Sequence, residues 1–383
     1  MLLPAAAASA GTDHGTRHPT GTGIIHDQST HLVSFRWAGV CGGIRAVSRA
    51  GVDIAGRMDD AGTRGAIDVF SEVSPPSGLR PPARGCSEEA ATEYVRSLAT
   101  HFKENFSVLT GLVPDHLVPH FGAVYAFCRW SDDLADETGA GEVARARSLY
   151  LLDAWGEELG ACAAGEASHP VFVALAKSIR ERDLPLEPFF DLLDAFRQDQ
   201  VKTRYDTLEE VEDYSVRSAN PVGRLVLAIA GVRGPQAALM ASDCTCTALQ
   251  LVNFWQDVAR DLLERDRVYL PLSQIGLSFA DLDRAVRGGQ GFGPGVYETA
   301  VRPLLDRTRE LFEMGDGLIP MLEAGPGRDV IGPVRLFGAG GKRILSLVTK
   351  AGAGVLRRRP RVSTPARVAL LVREHLRLAM ENA

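Results

Sequence analysis

Little in the sequence points to secretion, to a membrane span or to nucleic acid. Its six cysteines, Cys41, Cys86, Cys128, Cys162, Cys244 and Cys246, form no CxxC pair and no disulfide framework. Reduced thiols in the cytoplasm fit better. The start, MLLPAAAASAGTDHG, has no basic stretch and only a short apolar run, so no secretory leader is expected. No window of about 18 apolar residues is uninterrupted, which argues against a transmembrane helix. Lysine is scarce and the formal net charge is −6, so the electrostatic footprint of a nucleic-acid binder is missing. Alternating strand patterns are nearly absent, and no repeat recurs at a solenoid period.

What is present is an ordinary globular composition over 383 residues, 45% hydrophobic and 23% charged. Residues 1–85 differ from the rest. They are rich in Gly, Ala, Ser and Thr, end in SPPSGLRPPARG and show no sustained period, which reads as a mostly disordered extension. The ordered domain is expected over 86–383, beginning near Glu88, and its pattern is helical almost throughout. Helices are expected at EEAATEYVRSLATHF, from about His120 to Glu137, and at ARSLYLLDAWGEELGAC, HPVFVALAKSIRERD and LEPFFDLLDAFRQDQV. VEDYSVRSANPVGRLVLAIAG and PQAALMASDCTCTALQLVNFWQDVARDLLERD follow, then two or more helices between Tyr297 and Leu356. The fold class is all-α, a helical bundle too apolar for a simple coiled coil.

Two of these helices carry polar stripes. In LQLVNFWQDVARD, Gln250, Asn253, Asp257 and Asp261 are spaced three, four and four, within one narrow face of a helix that is otherwise apolar. In YAFCRWSDDLADE, Tyr125, Arg129, Asp132 and Asp136 are spaced four, three and four, while Asp133 lies roughly 100° further round. A single Asp-x-x-x-Asp pair is usually a solvated face. Two pairs on apolar scaffolds are less ordinary, because an unpaired buried carboxylate is expensive. Arginines, protons or metal ions must neutralise them. Mg²⁺ takes oxygen ligands and is commonly held by one or two carboxylates plus substrate phosphates, so two facing pairs suit a metal-bound diphosphate. Structural ion-pair networks can look similar.

YAFCRWSDDLAD, SANPVGRLVL and LQLVNFWQDVARDLLERDRVYLP, in this order, resemble the squalene/phytoene synthase family. The likeness runs from about His101 to Pro271 and more weakly beyond. It implies the isoprenoid synthase fold, a helical bundle around a central cavity. It also implies Mg²⁺ on Asp132, Asp136, Asp257 and Asp261, with Asn253 assisting. Arg129 would pair with diphosphate or with the aspartates. Tyr125, Tyr214 and Gln250 would line the reaction cavity, and Arg267 and Tyr269 would lie at the diphosphate end. The strings KENFSVLTGLVP, RSANPVGRLVL and NFWQDVARD look nearest to the branch that makes hydroxysqualene in bacterial hopanoid biosynthesis.

Members that join two prenyl diphosphates usually carry Arg where this chain has Gln256 and an acidic residue where it has Arg260. Both departures fit an enzyme that receives presqualene diphosphate ready-made and lets water capture the cation. The sibling expectation is a head-to-head condensing enzyme making presqualene diphosphate, squalene or phytoene. The expectation from another class is a non-catalytic relative acting in assembly or lipid binding. NADPH is not expected to be required. FGAGGKR at 337–343 lacks phosphate-loop spacing and reads as a turn. His116 and His120 are four apart, but Pro119 lies between them and no acidic partner follows, so they are not read as a zinc pair. Cys244 and Cys246 read as small core residues. The tail VLRRRPRVSTPARVALLVREHLRLAM is basic and partly amphipathic. A solvated helix is the default for it, and peripheral contact at the inner face of the cell membrane, near other squalene-pathway enzymes, is the alternative.

Overall fold

The computed structural model describes residues 69–70, 73, 78–101, 112–136, 138–139, 141–234 and 236–381. Thirteen α-helices are described, and the only β pairing among these residues is an isolated bridge between Arg204 and Val268. In chain order the helices are α1 (Glu88–His101), α2 (Val118–Asp136), α3 (Glu142–Ala164), α4 (Pro170–Arg182), α5 (Glu187–Gln198), α6 (Leu208–Ser218) and α7 (Asn220–Ile229). They continue as α8 (Gln236–Arg265), α9 (Phe279–Val286), α10 (Val296–Gly315), α11 (Leu318–Glu323), α12 (Ile331–Ala351) and α13 (Thr364–Glu381).

Local chemistry sets several boundaries. His169 caps α4 by accepting the Val171 N–H at Nδ1, and Pro170 follows in the first turn, where no N–H is needed. Thr207 caps α6 by accepting from the Glu210 N–H at 3.2 Å, while the Glu210 carboxylate accepts from the Asp206 N–H. The single helix expected over VEDYSVRSANPVGRLVLAIAG is two. Ala219 leaves helical geometry at φ −121°, and Pro221 opens α7 behind it.

Phe337–Arg343, expected to be a turn, lies inside α12. The reason is packing. Gly341 is where α12 meets α8 and α10, and a Cβ there would sit 2.5 Å from Leu249 and 2.6 Å from Phe312. Gly341 serves a close helix crossing and does not mark a chain reversal.

One apolar cluster gathers α1–α5 and α7 around Trp130, Trp155, Phe127 and Phe172. A second gathers α6, α8–α10 and α12 around Tyr214, Trp255, Tyr269 and Phe312. Most of the extension expected to be disordered lies outside the described residues. Phe70 does not: it is buried with its ring 5.1 Å from that of Trp155. Arg84 pairs with Glu158, and Gly85 donates to the Ser168 carbonyl at 2.7 Å. Packing thus begins upstream of the expected boundary. His101 ends α1; KENFSVLT in the following string lies outside the described residues.

Candidate active site

The two acidic stripes face one cavity. Asp132 and Asp136 from α2, and Gln250, Asn253, Asp257 and Asp261 from α8, all line it. On α8 the four polar residues are buried like the apolar ones around them. Such a stripe survives only if charge of the other sign stands close. The structure supplies it with arginines. Asp136 lies 2.7 Å from Arg265 and 3.4 Å from Arg267. Asp257 accepts at its two oxygens from Nε and Nη2 of Arg359, the second contact at 3.0 Å. Asp132 lies 3.7 Å from Arg129, whose tighter partner is Asp133.

A carboxylate not singled out in the sequence forms the floor. Asp199 accepts from Tyr214 at 2.9 Å, from Tyr269 at 3.0 Å and from Arg267 at 2.8 Å. Burial raises the Asp199 carboxyl above its ordinary range, and the Arg267 guanidinium opposes that. Burial and then the Asp199 charge push the phenols of Tyr214 and Tyr269 well up, so both remain donors. Phe254 stacks on Tyr269 at 3.9 Å and closes this end.

The expected residues therefore divide. Tyr214, Arg267 and Tyr269 line the acidic cavity, with their polar atoms bound into the Asp199 network. Tyr125 lines a different, apolar cavity, and Arg129 lines neither. Gln256 does not face the acidic cavity either. Its amide donates to the Pro360 carbonyl at 2.5 Å and accepts from Arg359. Arg260 pairs with Glu264 at the surface. Position 256 thus holds the segment that delivers a guanidinium to Asp257, so glutamine there does not remove positive charge from the motif.

Arg265, Arg359 and Asp199 were not picked out in the sequence. Asp199 had a signal: it continues the ridge of Leu192 and Phe196 at spacings of four and three, placing a carboxylate on the buried side of α5. Arg359 had none, because nothing local separates it from its neighbours in RRRPR.

The apolar cavity has a volume of about 120 Å³ and walls of Phe121, Val124, Val222, Val226, Leu249 and Phe337. Cys246 lines it too, and burial pushes that thiol up to about 12, so it is an inert wall group. The two cavities meet at Gln250 and Asn253, which line both. One end suits a charged group and the other a long hydrocarbon. The site is built for an amphiphile.

Among the described residues, no three His, Cys, Asp or Glu groups converge closely enough to hold a metal by themselves. The donors are nonetheless hard oxygens in two facing pairs. This fits Mg²⁺, which relies on phosphate oxygens and water to complete its shell. His120, half of the dismissed zinc pair, has its Nδ1 3.1 Å from Ser178.

Residues 99–366 match the squalene/phytoene synthase family. The chain belongs to that family. Its members act on prenyl diphosphates in isoprenoid biosynthesis. The chain is 31% identical over 307 residues to a 15-cis-phytoene synthase of Synechocystis, covering 76% of this chain and 86% of that one. It is 38% identical over 189 residues to a hydroxysqualene synthase of Sinorhizobium fredii, covering 49% of this chain and 62% of that protein. Among solved structures it resembles the squalene synthase HpnC of Alicyclobacillus acidocaldarius, with TM-score 0.60 and 41% identity over 69% of this chain and 95% of that one. The isoprenoid synthase helical fold expected from the sequence is the fold observed. Among the described residues, no helix is long and apolar enough to cross a membrane.

Proposed function

We propose that this protein converts presqualene diphosphate and water to hydroxysqualene and diphosphate. The observation that carries the reading is the adjacency of an acidic and an apolar cavity, which share Gln250 and Asn253 in their walls. The diphosphate would lie among Asp132, Asp136, Asp257 and Asp261, which would hold Mg²⁺, and beside Arg267. When bound, Mg²⁺ neutralises charge on the departing diphosphate. The apolar walls keep bulk water from the carbocation left when the carbon–oxygen bond breaks with its electron pair on oxygen. Gln250 and Asn253 are the amides at that boundary; they would hold the one water that adds to carbon, and its proton would pass to the departed diphosphate. NADPH has no part, because water and not hydride ends the reaction.

Likeness to a hydroxysqualene synthase supports this branch. A specific observation favours the sibling reading. Arg359 supplies at Asp257 a cation that glutamine at 256 had been taken to withhold. A condensing enzyme accepting farnesyl or geranylgeranyl diphosphate directly is therefore the second reading. The water-insoluble product suits work at the inner face of the cell membrane, near the enzymes that supply and consume it.

Product analysis by gas chromatography–mass spectrometry tests the assignment. Purified protein receives Mg²⁺ with presqualene diphosphate or with farnesyl diphosphate, each with and without NADPH. Hydroxysqualene from presqualene diphosphate alone is the expected result. Product from farnesyl diphosphate transfers the protein to the condensing branch. A protein that turns over neither, and whose melting temperature Mg²⁺ and diphosphate do not raise, is a non-catalytic relative.

A further inference from the structure

The C-terminal helix α13 carries apolar residues on its outer side as well as on its inner one, where Leu378 packs at Gly332. Its inner side carries Glu374, which is buried against Arg335, a residue also paired with Glu323 and Glu381. Its outer side is apolar. Val368, Val372, Leu376 and Met380 recur every four residues and are 51%, 51%, 61% and 78% exposed. Ala369 and Ala379 lie exposed between them, and no charged residue falls within this stripe.

Cations lie beside the stripe. Arg357, Arg358 and Arg361 are exposed in the segment leading into α13, and Arg373 and Arg377 are exposed along one border of the stripe. Residues 357–381 hold seven arginines against Glu374 and Glu381, in a chain whose net charge is −6. The position is also informative. The groove under α13, lined by its Leu370 and Arg373, shares Thr245 and Val334 with the apolar cavity. The helix covers the side of the molecule where that cavity ends.

We propose that α13 is an interfacial helix. Its stripe of Val368, Val372, Leu376 and Met380 enters the surface of an anionic bilayer, and the neighbouring arginines meet the lipid headgroups. An apolar face with one sign of charge along one border and in the segment before it fits such a surface. A twofold contact between two copies through the same face would bring the two arginine sets together, and like charges oppose it. The inference deepens the proposed function and rests on it for its purpose, since a helix there brings the end of the hydrocarbon cavity to the lipid. The binding itself does not depend on which isoprenoid is turned over.

The full-length protein is sedimented with vesicles of phosphatidylcholine alone, or with about one-third phosphatidylglycerol added. Binding is expected on the anionic vesicles, weak on the neutral ones, and reduced by salt. Two variants are compared, V372E/L376E and R357Q/R358Q/R361Q. Each is expected to lower partitioning by about tenfold or more, with circular dichroism and melting temperature retained. If one variant misfolds, the other decides. No binding to anionic vesicles, or undiminished binding by the folded variants, overturns the proposal. A wild-type dimer in solution that V372E/L376E makes monomeric overturns it also, and assigns the face to a second copy. Vesicle binding and product analysis are separate readouts, so failure of one leaves the other standing.

Discussion

The guanidinium of Arg359 lies against the carboxylate of Asp257, although the two residues are 102 positions apart in the chain. The Asp257 side chain is only 3% exposed and that of Arg359 14%, so the pair is largely shielded from water. A metal that reaches Asp257 must share it with this cation or displace it.

Replacing Arg359 by glutamine is therefore expected to act in two directions. The protein without metal loses about 3 kcal/mol of stability, because a buried carboxylate is left without its counter-charge. Mg²⁺ together with diphosphate then raises the melting temperature more in the variant than in the wild type, since competition at Asp257 is gone. A thermal-shift titration reads both effects. Equal increments in the two proteins would show that Arg359 keeps its place when the metal binds.

Asp199 anchors Tyr214, Tyr269 and Arg267 at once. Asp199→Asn keeps an acceptor for the tyrosines but leaves the Arg267 cation with less negative charge. A loss of about 2 kcal/mol is expected from chemical denaturation, with Asp199→Ala worse because the buried donors lose their acceptor. A neutral result for alanine would mean that water replaces the carboxylate.

Asp132 is the most exposed of the four motif aspartates, its side chain 27% accessible, and its removal should leave the helical bundle intact. Asp132→Ala is expected to slow Mg²⁺-dependent release of diphosphate by about a hundredfold or more, with unchanged circular dichroism. Full activity in this variant would remove the first motif from the chemistry.

His169 sets a pH dependence of stability. Burial pushes its imidazole down to about 3, so the folded protein keeps it neutral while the unfolded chain titrates near 6.5. Between these values the unfolded state binds more protons. The contribution is full above about pH 6.5 and is lost as the pH falls toward 3, with a slope of up to about 1.4 kcal/mol per pH unit. His169→Asn retains a capping acceptor for α4 and removes the titration. The denaturation midpoint followed from about pH 6 down to pH 4 should fall less steeply in the variant than in the wild type. Parallel slopes would place the acid sensitivity elsewhere.

Much of this was legible in the chain. The stripes on α2 and α8 follow from helical periodicity, because residues three and four apart share a face whatever the rest of the molecule does. The need for compensating charge follows from the cost of burying carboxylates. Where local signals weaken, the expectations failed. The glycines of FGAGGKR read as a turn, since the surfaces of Leu249 and Phe312 that require Gly341 are remote in sequence. The break at Ala219 did have a local signal, the Asn220–Pro221 pair that favours a helix boundary.

By itself the sequence determined an all-α domain, two acidic stripes, and a choice among arginines, protons and metal ions to balance them. Only the tertiary structure showed which arginines stand beside the aspartates. Arg265, Arg267 and Arg359 balance the aspartates, and Asp199 joins them from α5. It also turned Gln256 from a missing cation into the residue that holds Arg359. The reason is the range of the forces. Helical periodicity acts over a few residues, whereas the partner of a buried charge is chosen by proximity in space, and here it comes from about a hundred residues along the chain.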